Sequence, residues 1–377
     1  MWHSLHKGHA TGAIPAVHEM WEDEMLFAES TEGRSSRAKQ EPRPLLYAAA
    51  PAIYALTYPG FVNLFHQFVG DAGNTVQIPN AILAGVTLLL MLSVPAFGFH
   101  RALRGLQNPT TPPAFEARAR RLAYMVVIAP TMYCMVGVLQ ILLHSPLPDE
   151  LTWALVWCLG IAWLAMTPTV GSRAIPSTTP IPSLRVAHGI SGLIVLLYVS
   201  FHLANHLFAL EGQDAHAAVM AVGRKVYRSA LVEPILVAAM LFQIASGCML
   251  AWKWSAKPHD FYRTFQVASG FYLSIYILGH MNSVFILARS YFGIETGWDF
   301  ATGAPNGLIH DAWSIRLIPH YALGVFLVVA HLCSGLRVVM FAHQARATLT
   351  NAIFWVGMLL AAMISVTIML AMCGLRL

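Results

Sequence analysis

Long apolar stretches recur along this chain and are separated by short polar segments that contain proline, asparagine and charged residues. Most of the stretches hold about 20 residues, the length an α-helix needs to cross a lipid bilayer. The pattern predicts about nine spans, at 45–69, 80–100, 122–144, 151–168, 186–210, 232–252, 265–288, 317–340 and 351–373. The fourth stretch is short and rich in tryptophan. We therefore expect an all-α fold, a polytopic transmembrane helix bundle.

Composition supports a membrane protein. Of the 377 residues, 57% are hydrophobic and only 11% are charged, whereas a soluble domain has about 25% charged residues. The formal net charge of +5 does not indicate nucleic-acid binding, because lysine and arginine collect in the cytoplasmic loops of membrane proteins. No CxxC or CxxCH motif occurs, so covalent haem attachment and an iron–sulfur site find no support.

The chain divides into three predicted regions. Residues 1–44 form a polar tail, residues 45–170 a four-span membrane region, and residues 185–373 a five-span bundle rich in histidine. Most of the basic residues between spans fall on the cytoplasmic side if the N-terminus is cytoplasmic. The tail is acidic as well as basic, which argues against a mitochondrial transit peptide. We expect a bacterial inner membrane, with a mitochondrial membrane as the alternative.

Histidines within the five-span region recur at helical spacing. His188 and His202 lie 14 residues apart in one predicted span, so they are separated by about 21 Å along the helix axis and by about 40° around it. His320 and His331 lie 11 residues apart in another span, about 16.5 Å along the axis and again on one face. Each of these spans therefore presents two imidazoles to one side, at two depths.

The orientation of the spans pairs these histidines by depth. His188 and His331 fall at an inner level, near the cytoplasmic side. The outer level has four candidates, which are His202, His206, His280 and His320. Ionisable side chains at membrane depth face the protein interior and mark functional sites. A neutral imidazole is also an axial ligand of haem iron.

The matched depths predict two b-type haems, each bound by two histidines from different helices. The predicted metal ligands are His188, His202, His280 and His331, and the outer pair is His202 with either His280 or His320. Three other interpretations stay open. A zinc or copper site would require three or four ligands at one depth, a proton relay would use the histidines without metal, and a buried histidine can simply bond a carbonyl group.

Small and basic residues near the histidines fit a cofactor pocket. Ser191 and Gly192 lie one turn from His188, where they would allow close approach of a ring or a helix. Arg185, Arg316 and Arg337 lie near span ends. There they could pair with haem propionates or simply extend to the membrane surface.

One segment resembles a known family. Ala330-His-Leu-Cys-Ser-Gly-Leu-Arg337 is similar to the haem-ligand helix of the cytochrome b membrane-anchor subunits of succinate dehydrogenase and fumarate reductase, where the ligand histidine precedes a glycine by four residues and an arginine by six. The resemblance implies that His331 is an axial ligand. His188, Ser191 and Gly192 match the His-Arg-x-Ser-Gly opening of the same subunits, but Gly189 replaces an arginine that forms part of a quinone site in some members.

A second resemblance covers Arg185 to about Met340. His202-Leu-Ala-Asn205, Tyr227-Arg-Ser-Ala-Leu-Val-Glu-Pro234 and Gly279-His-Met-Asn282 are similar to a fungal mitochondrial membrane-protein family linked to lipid homeostasis, itself a distant relative of those anchors. Gln243 stands where such proteins often have a histidine that precedes a glycine by four residues. The departure removes one ligand that the resemblance would imply.

The sequence thus predicts a transmembrane cytochrome with two b-type haems that passes electrons between a quinone pool and a soluble redox partner subunit. The chain contains no nucleotide or flavin motif, so it would act at most as the electron-transfer subunit of an oxidoreductase. Two alternatives come from other classes. One is a non-enzymatic haem-binding membrane protein in lipid homeostasis or sensing, and the other is a proton-coupled transporter that depends on the histidines.

Overall fold

The structure, a computed structural model, describes residues 44–70, 76–106, 112–166 and 182–377. Within these ranges 84% of the residues are helical and no strand occurs. The predicted all-α fold is confirmed. The predicted N-terminal tail, residues 1–44, lies outside the described residues except for its last residue.

The helices fall into two sets in chain order. The first set is α1 (Pro44–Ala55), α2 (Tyr58–Val69), α3 (Ile78–Arg104), α4 (Pro113–Val127), α5 (Ala129–Leu142) and α6 (Asp149–Ala165). The second set is α7 (Pro182–Leu207), α8 (Gln213–Tyr227), α9 (Val232–Trp254), α10 (Phe261–Met281), α11 (Trp298–Thr302), α12 (Gly307–His310), α13 (Leu317–Ala342) and α14 (Ala347–Met372). A π-helical segment, Asn282–Phe292, continues α10. Short 3₁₀ segments follow α7 (Phe208–Leu210) and precede α13 (Ser314–Arg316).

Seven helical segments of the described chain are long and apolar enough to cross a membrane. They are Leu45–Val69, Ile78–Arg104, Pro182–Leu210, Val232–Trp254, Phe261–Phe292, Ser314–Ala342 and Ala347–Met372. Seven such segments indicate an integral, multi-pass membrane protein that lies in a lipid bilayer.

The predicted count of about nine spans is not confirmed. The third predicted span is a pair of helices, α4 and α5, with a bend of 69° at Ile128. If this bent pair crosses the membrane as one unit, the described residues contain eight spans. Pro130 lies in the first turn of α5, where proline suits a new helix start because its nitrogen has no hydrogen to donate. The fourth predicted span is α6, whose 17 residues are fewer than the roughly 20 that a span requires.

One face of helix α6 packs against the protein, while Leu155 and Leu159 on its other face are exposed. Trp153 and Trp157 are fully buried, and the Trp153 ring contacts the rings of Tyr58 and Tyr133 at centroid distances of 5.9 and 5.3 Å. The Trp153 indole Nε1 donates a hydrogen bond of 2.8 Å to the carbonyl of Ala55. This aromatic cluster ties α1, α2, α5 and α6 together.

The C-terminal helices form a closed ring of contacts. Helix α7 packs against α9, α9 against α10, α10 against α13, α13 against α14, and α14 returns to α7. Helix α10 also packs against α3, α4 and α5, so the regions before and after residues 167–181 are in contact. Pro44–Leu377 forms one compact unit. The predicted division at residues 170–185 lies largely outside the described residues.

Candidate functional site

The inner histidines lie on two helices of this ring. His188 is in the second turn of α7, and His331 is near the middle of α13. The outer side of α7 is strongly apolar, with Val186, Ile190 and Leu193 each at least 60% exposed. His188 is half-buried and contacts α9 instead. His188 contacts Ser246 on α9 and His331 contacts Ser269 on α10, so the structure places the predicted inner pair against two helices that pack together.

Each inner imidazole is held by a serine on a neighbouring helix. His188 Nδ1 lies 2.7 Å from Ser246 Oγ on α9, and His331 Nδ1 lies 2.9 Å from Ser269 Oγ on α10. The Ser246 hydroxyl donates to the carbonyl of Phe242 at 2.5 Å, and the Ser269 hydroxyl donates to the carbonyl of Phe265 at 2.7 Å.

These bonds favour one tautomer of each ring. A hydroxyl has one hydrogen, and each serine gives it to the carbonyl of the preceding turn. Each serine oxygen therefore accepts a hydrogen bond from an imidazole Nδ1–H. In a neutral imidazole the other nitrogen, Nε2, is then unprotonated and bears a free lone pair. Metal-binding histidines in proteins have this form, with one nitrogen bonded to an outer partner and the other directed at the metal.

A glycine next to each serine makes room for the imidazole. A Cβ added at Gly270 would lie 3.0 Å from His331 Cε1, and one added at Gly247 would lie 3.5 Å from His188 Cε1. The first distance is closer than an ordinary van der Waals contact. The backbone of α10 thus approaches the His331 ring more closely than a side chain at position 270 would allow, whereas the His188 ring lies at ordinary contact distance from position 247.

Gln243 connects α9 to α7 beside the inner pair. Its side-chain nitrogen donates to the carbonyl of His188 at 2.6 Å and to Ser191 Oγ at 2.5 Å. Gln243, found where the fungal family often has a histidine, here holds the backbone of the predicted ligand. Ser191 contacts this amide, and its predicted role in cofactor binding stays a prediction.

The outer level is a cluster of imidazoles. The His202 ring lies 4.7 Å from that of His206 and 6.0 Å from that of His280, measured between centroids. Among the described residues, His206 Nδ1 is buried and lacks a hydrogen-bond partner. His206, one turn after His202, shares its face of α7, so it belongs to the cluster and not merely to the headgroup region.

His216 adds a fifth ring that the sequence did not suggest. It lies on α8, which folds back over the end of α7, and its ring centroid is 5.4 Å from that of His206 and 4.8 Å from that of Trp298. Its Nε2 accepts a hydrogen bond of 3.2 Å from the side-chain nitrogen of Asn205. Burial lowers the pKa of His216, and the charge of Arg224 lowers this pKa further.

His320 is separated from His280 by an aromatic ring. Tyr276 stacks on His280 at 5.9 Å and contacts His320 at 4.6 Å. His320 is buried, and its Nδ1 has no hydrogen-bond partner in the described part of the chain. Of the two predicted partners for His202, the structure brings His280 into ring contact and leaves His320 behind Tyr276.

The described residues contain no group of three or more histidine, cysteine or acidic side chains arranged to hold a metal ion. The zinc or copper interpretation required such a group and loses its support here. Ligation by two axial imidazoles has no such requirement.

The sequence suggested that three arginines near span ends could pair with haem propionates. Arg316 instead pairs with Asp149 at 2.5 Å and lies over the rings of Tyr133 and Trp313. The guanidinium of Arg337 donates from Nε to Asn351 Oδ1 at 3.0 Å, and its charge lies 3.5 Å above the ring centre of Tyr262. Arg185 is exposed at the start of α7.

The hydrogen-bonding role of the serines that hold the inner imidazoles was missed by the sequence reasoning, although a signal was present. A Ser-Gly dipeptide occurs once in each of α7, α9, α10 and α13, at residues 191–192, 246–247, 269–270 and 334–335. His216 had no comparable signal, because its position depends on how α8 folds back onto α7.

Comparison of the chain with models of protein families, with curated proteins and with solved structures finds no match.

Proposed function

We propose that this protein is a transmembrane b-type cytochrome that binds two haems and passes electrons across or within the membrane. The observation that supports this most is the inner pair, His188 and His331. Both rings are held by serines through Nδ1, so both keep Nε2 free as a ligand atom.

The chain's own groups would do four things at the inner level. His188 and His331 would supply the two axial nitrogens. Ser246 and Ser269 would fix the tautomer and orientation of these rings, which also makes the ligand nitrogen more electron-rich. The glycine backbones beside the rings would leave space for a flat macrocycle. The surrounding apolar helices would exclude water, which with axial ligation tunes the reduction potential. Bound haem would supply the one-electron redox chemistry.

At the outer level we propose His202 and His280 as the ligand pair. Their rings are in contact from two different helices, α7 and α10. The inner and outer levels are separated along α7 by the 14 residues from His188 to His202, about 21 Å. Electrons could therefore pass between the two sides of the bilayer through this chain.

The partners of this cytochrome are also proposals. A quinone and a soluble redox subunit are the natural electron donor and acceptor, since the chain lacks a dehydrogenase motif of its own. The pattern His331, Gly335, Arg337 supports a relationship to the anchor subunits of succinate dehydrogenase and fumarate reductase. We propose the bacterial inner membrane as the location, with the mitochondrial membrane as the alternative.

The test is an optical spectrum of the purified protein, oxidised and then reduced with dithionite. We expect sharp reduced bands of six-coordinate b-type haem, weakened by H188A or H331A and unchanged by H343A. His343 is a suitable control because it is exposed in the loop after α13. If H331A and H343A retain the same spectrum, the inner pair does not bind haem. Reduction by a quinol would support the electron-transfer role over a haem-binding role in lipid homeostasis or sensing.

One observation favours a second candidate, a proton-coupled transporter. The rings of His280, His202, His206 and His216 form a continuous series of contacts that leads from α10 to α8. Imidazoles in series can relay protons. A protein without haem that acidifies proteoliposomes upon substrate addition, and loses this activity in H206A, would support this candidate over the cytochrome.

A further inference from the structure

A cleft opens at the end of the bundle where α10 begins and α13 ends. Its volume is about 390 Å³, within the range of small-molecule pockets. The polar side chains that line it include His259, Arg263, Gln266, Ser334 and Arg337, and Asp260 is its single acidic lining residue. The cleft lies beyond the inner histidines, since Ser334 follows His331 by three residues.

Three arginines act on this cleft. Arg263 and Arg337 line it, and the charges of Arg337 and of the nearby Arg185 both act on Arg263. Among the described residues, none of the three forms an ion pair within 4.0 Å. Asp260, the single carboxylate that lines the cleft, is the counter-charge that acts on Arg263, and it also accepts a hydrogen bond from the backbone nitrogen of Arg263 at the helix start.

Three like charges that share a single counter-charge destabilise one another, and an anion that binds between them reduces this repulsion. Guanidinium groups bind phosphate oxygens through paired, charge-assisted hydrogen bonds. His259 adds little positive charge, because burial lowers its pKa by more than the hydrogen bond of Nε2 to the carbonyl of Trp254, at 2.9 Å, raises it. The cleft therefore suits a compact anion.

We propose that this cleft binds a phosphate group, and that its source is the headgroup of an anionic phospholipid. The cleft lies at a membrane-span end, and the apolar side chains of Leu336 and Val339, which flank Arg337 on α13, are about half exposed. Acyl chains could lie along these residues while the headgroup occupies the cleft. The inference is independent of the proposed haems, because it rests on the arginines and the cleft alone.

The experiment measures how lipids protect the purified full-length chain against heat. The chain is placed in phosphatidylcholine bilayers, with or without phosphatidylglycerol, and separately in detergent with inorganic phosphate. We expect phosphatidylglycerol to raise the melting temperature of the wild-type chain and R263Q to weaken the apparent affinity about tenfold or more, as for loss of a charge-assisted hydrogen bond. K257Q is the control, because Lys257 is exposed at the same membrane end and does not line the cleft.

The outcomes distinguish a lipid headgroup from free phosphate as the source of the phosphate group, and they test the lipid proposal separately from the haem proposal. A phosphatidylglycerol effect that R263Q reduces and K257Q retains supports the proposal, and an additional effect of inorganic phosphate identifies free phosphate as a second source. Equal protection of the wild-type chain by both bilayers, with no effect of phosphate, overturns it without any variant. Haem content is measured in parallel. If R263Q loses haem, the arginines neutralise propionates and the lipid proposal is wrong, whereas a haem-free wild-type chain leaves the lipid test intact.

Discussion

Gly270 offers a sharp test of the inner site, because the structure predicts how far an added methyl group would intrude. A Cβ at this position would lie 3.0 Å from His331 Cε1, 3.7 Å from its Nδ1 and 3.8 Å from its Nε2. Ordinary contact begins at 3.4 Å. In G270A the imidazole must therefore move by a few tenths of an ångström, and the Nδ1 bond to Ser269 constrains that movement.

The expected size of the effect follows from packing energetics. Inserting a methyl group into a filled space costs about 1–3 kcal/mol, which corresponds to haem binding about 5- to 150-fold weaker if the strain appears in the ligand geometry. The matched control is G335A on α13, since a Cβ there has no neighbour within 4 Å. Alanine favours a helix over glycine by about 0.5–1 kcal/mol, so G335A should leave haem binding unchanged and the fold slightly more stable.

The assay is titration of the haem-depleted proteins with haemin, followed in the Soret region, with melting temperatures measured in parallel. Weaker binding by G270A and unchanged binding by G335A would support the placement of His331 against α10. If the two variants bind haemin equally well, the imidazole of His331 does not face Gly270 as a ligand, and the assignment of the inner pair fails.

Three further outcomes are expected. D149N removes the partner of the buried Arg316 and should destabilise the protein by about 3 kcal/mol, seen as a lower melting temperature. S246A removes the oxygen that accepts from His188 and should weaken haem binding about 10- to 100-fold in the same titration. The pKa of His216 is lower in the folded protein than in the unfolded chain, so on acidification His216 is protonated first in the unfolded chain. The free energy of unfolding therefore falls as the pH drops from about 7.5 to about 5.5. The melting temperature of H216Q should fall less over this pH range than that of the wild-type chain.

Two of these variants, D149N and S246A, have a control variant in the chain, and H216Q is compared with the wild-type chain. E295Q alters an exposed ion pair with Arg224 and should change stability by less than about 1 kcal/mol, so equal losses in D149N and E295Q would contradict the account of Arg316. S365A removes a buried hydroxyl that bonds the carbonyl of Ala322, away from the histidines, and should keep haem affinity. An identical pH dependence in the wild-type chain and H216Q would show that His216 does not titrate on unfolding.

The fold was predictable from the sequence where a helix faces lipid. Apolar stretches of about 20 residues gave seven segments that match spans of the structure. The two predicted spans that are not confirmed lie in α4 to α6, where a bend divides one of them and the other is only 17 residues long. Trp153 and Trp157 on α6 pack inside the aromatic cluster, whereas Leu155 and Leu159 on the same helix are exposed. The bend at Ile128 likewise interrupts a stretch that is uniformly apolar in the sequence.

The candidate site was predictable where it depends on spacing within one helix. The depth of His188 and of His331 follows from the rise per residue, and the structure places these rings against α9 and α10. The serines that orient them depend on the register between neighbouring helices, which no single helix encodes. His216 depends on the path of a loop, and its contact with His206 could not be inferred from the spacing of residues.

The most direct test of the central claim is the ratio of haem to protein in the purified chain, determined with the electron paramagnetic resonance spectrum of its oxidised form. Two imidazole pairs predict two low-spin haems per chain, reduced to about one when His331 is replaced by alanine. A correctly folded, full-length chain that binds no haem when supplied with haemin would contradict the assignment of these histidines as ligands.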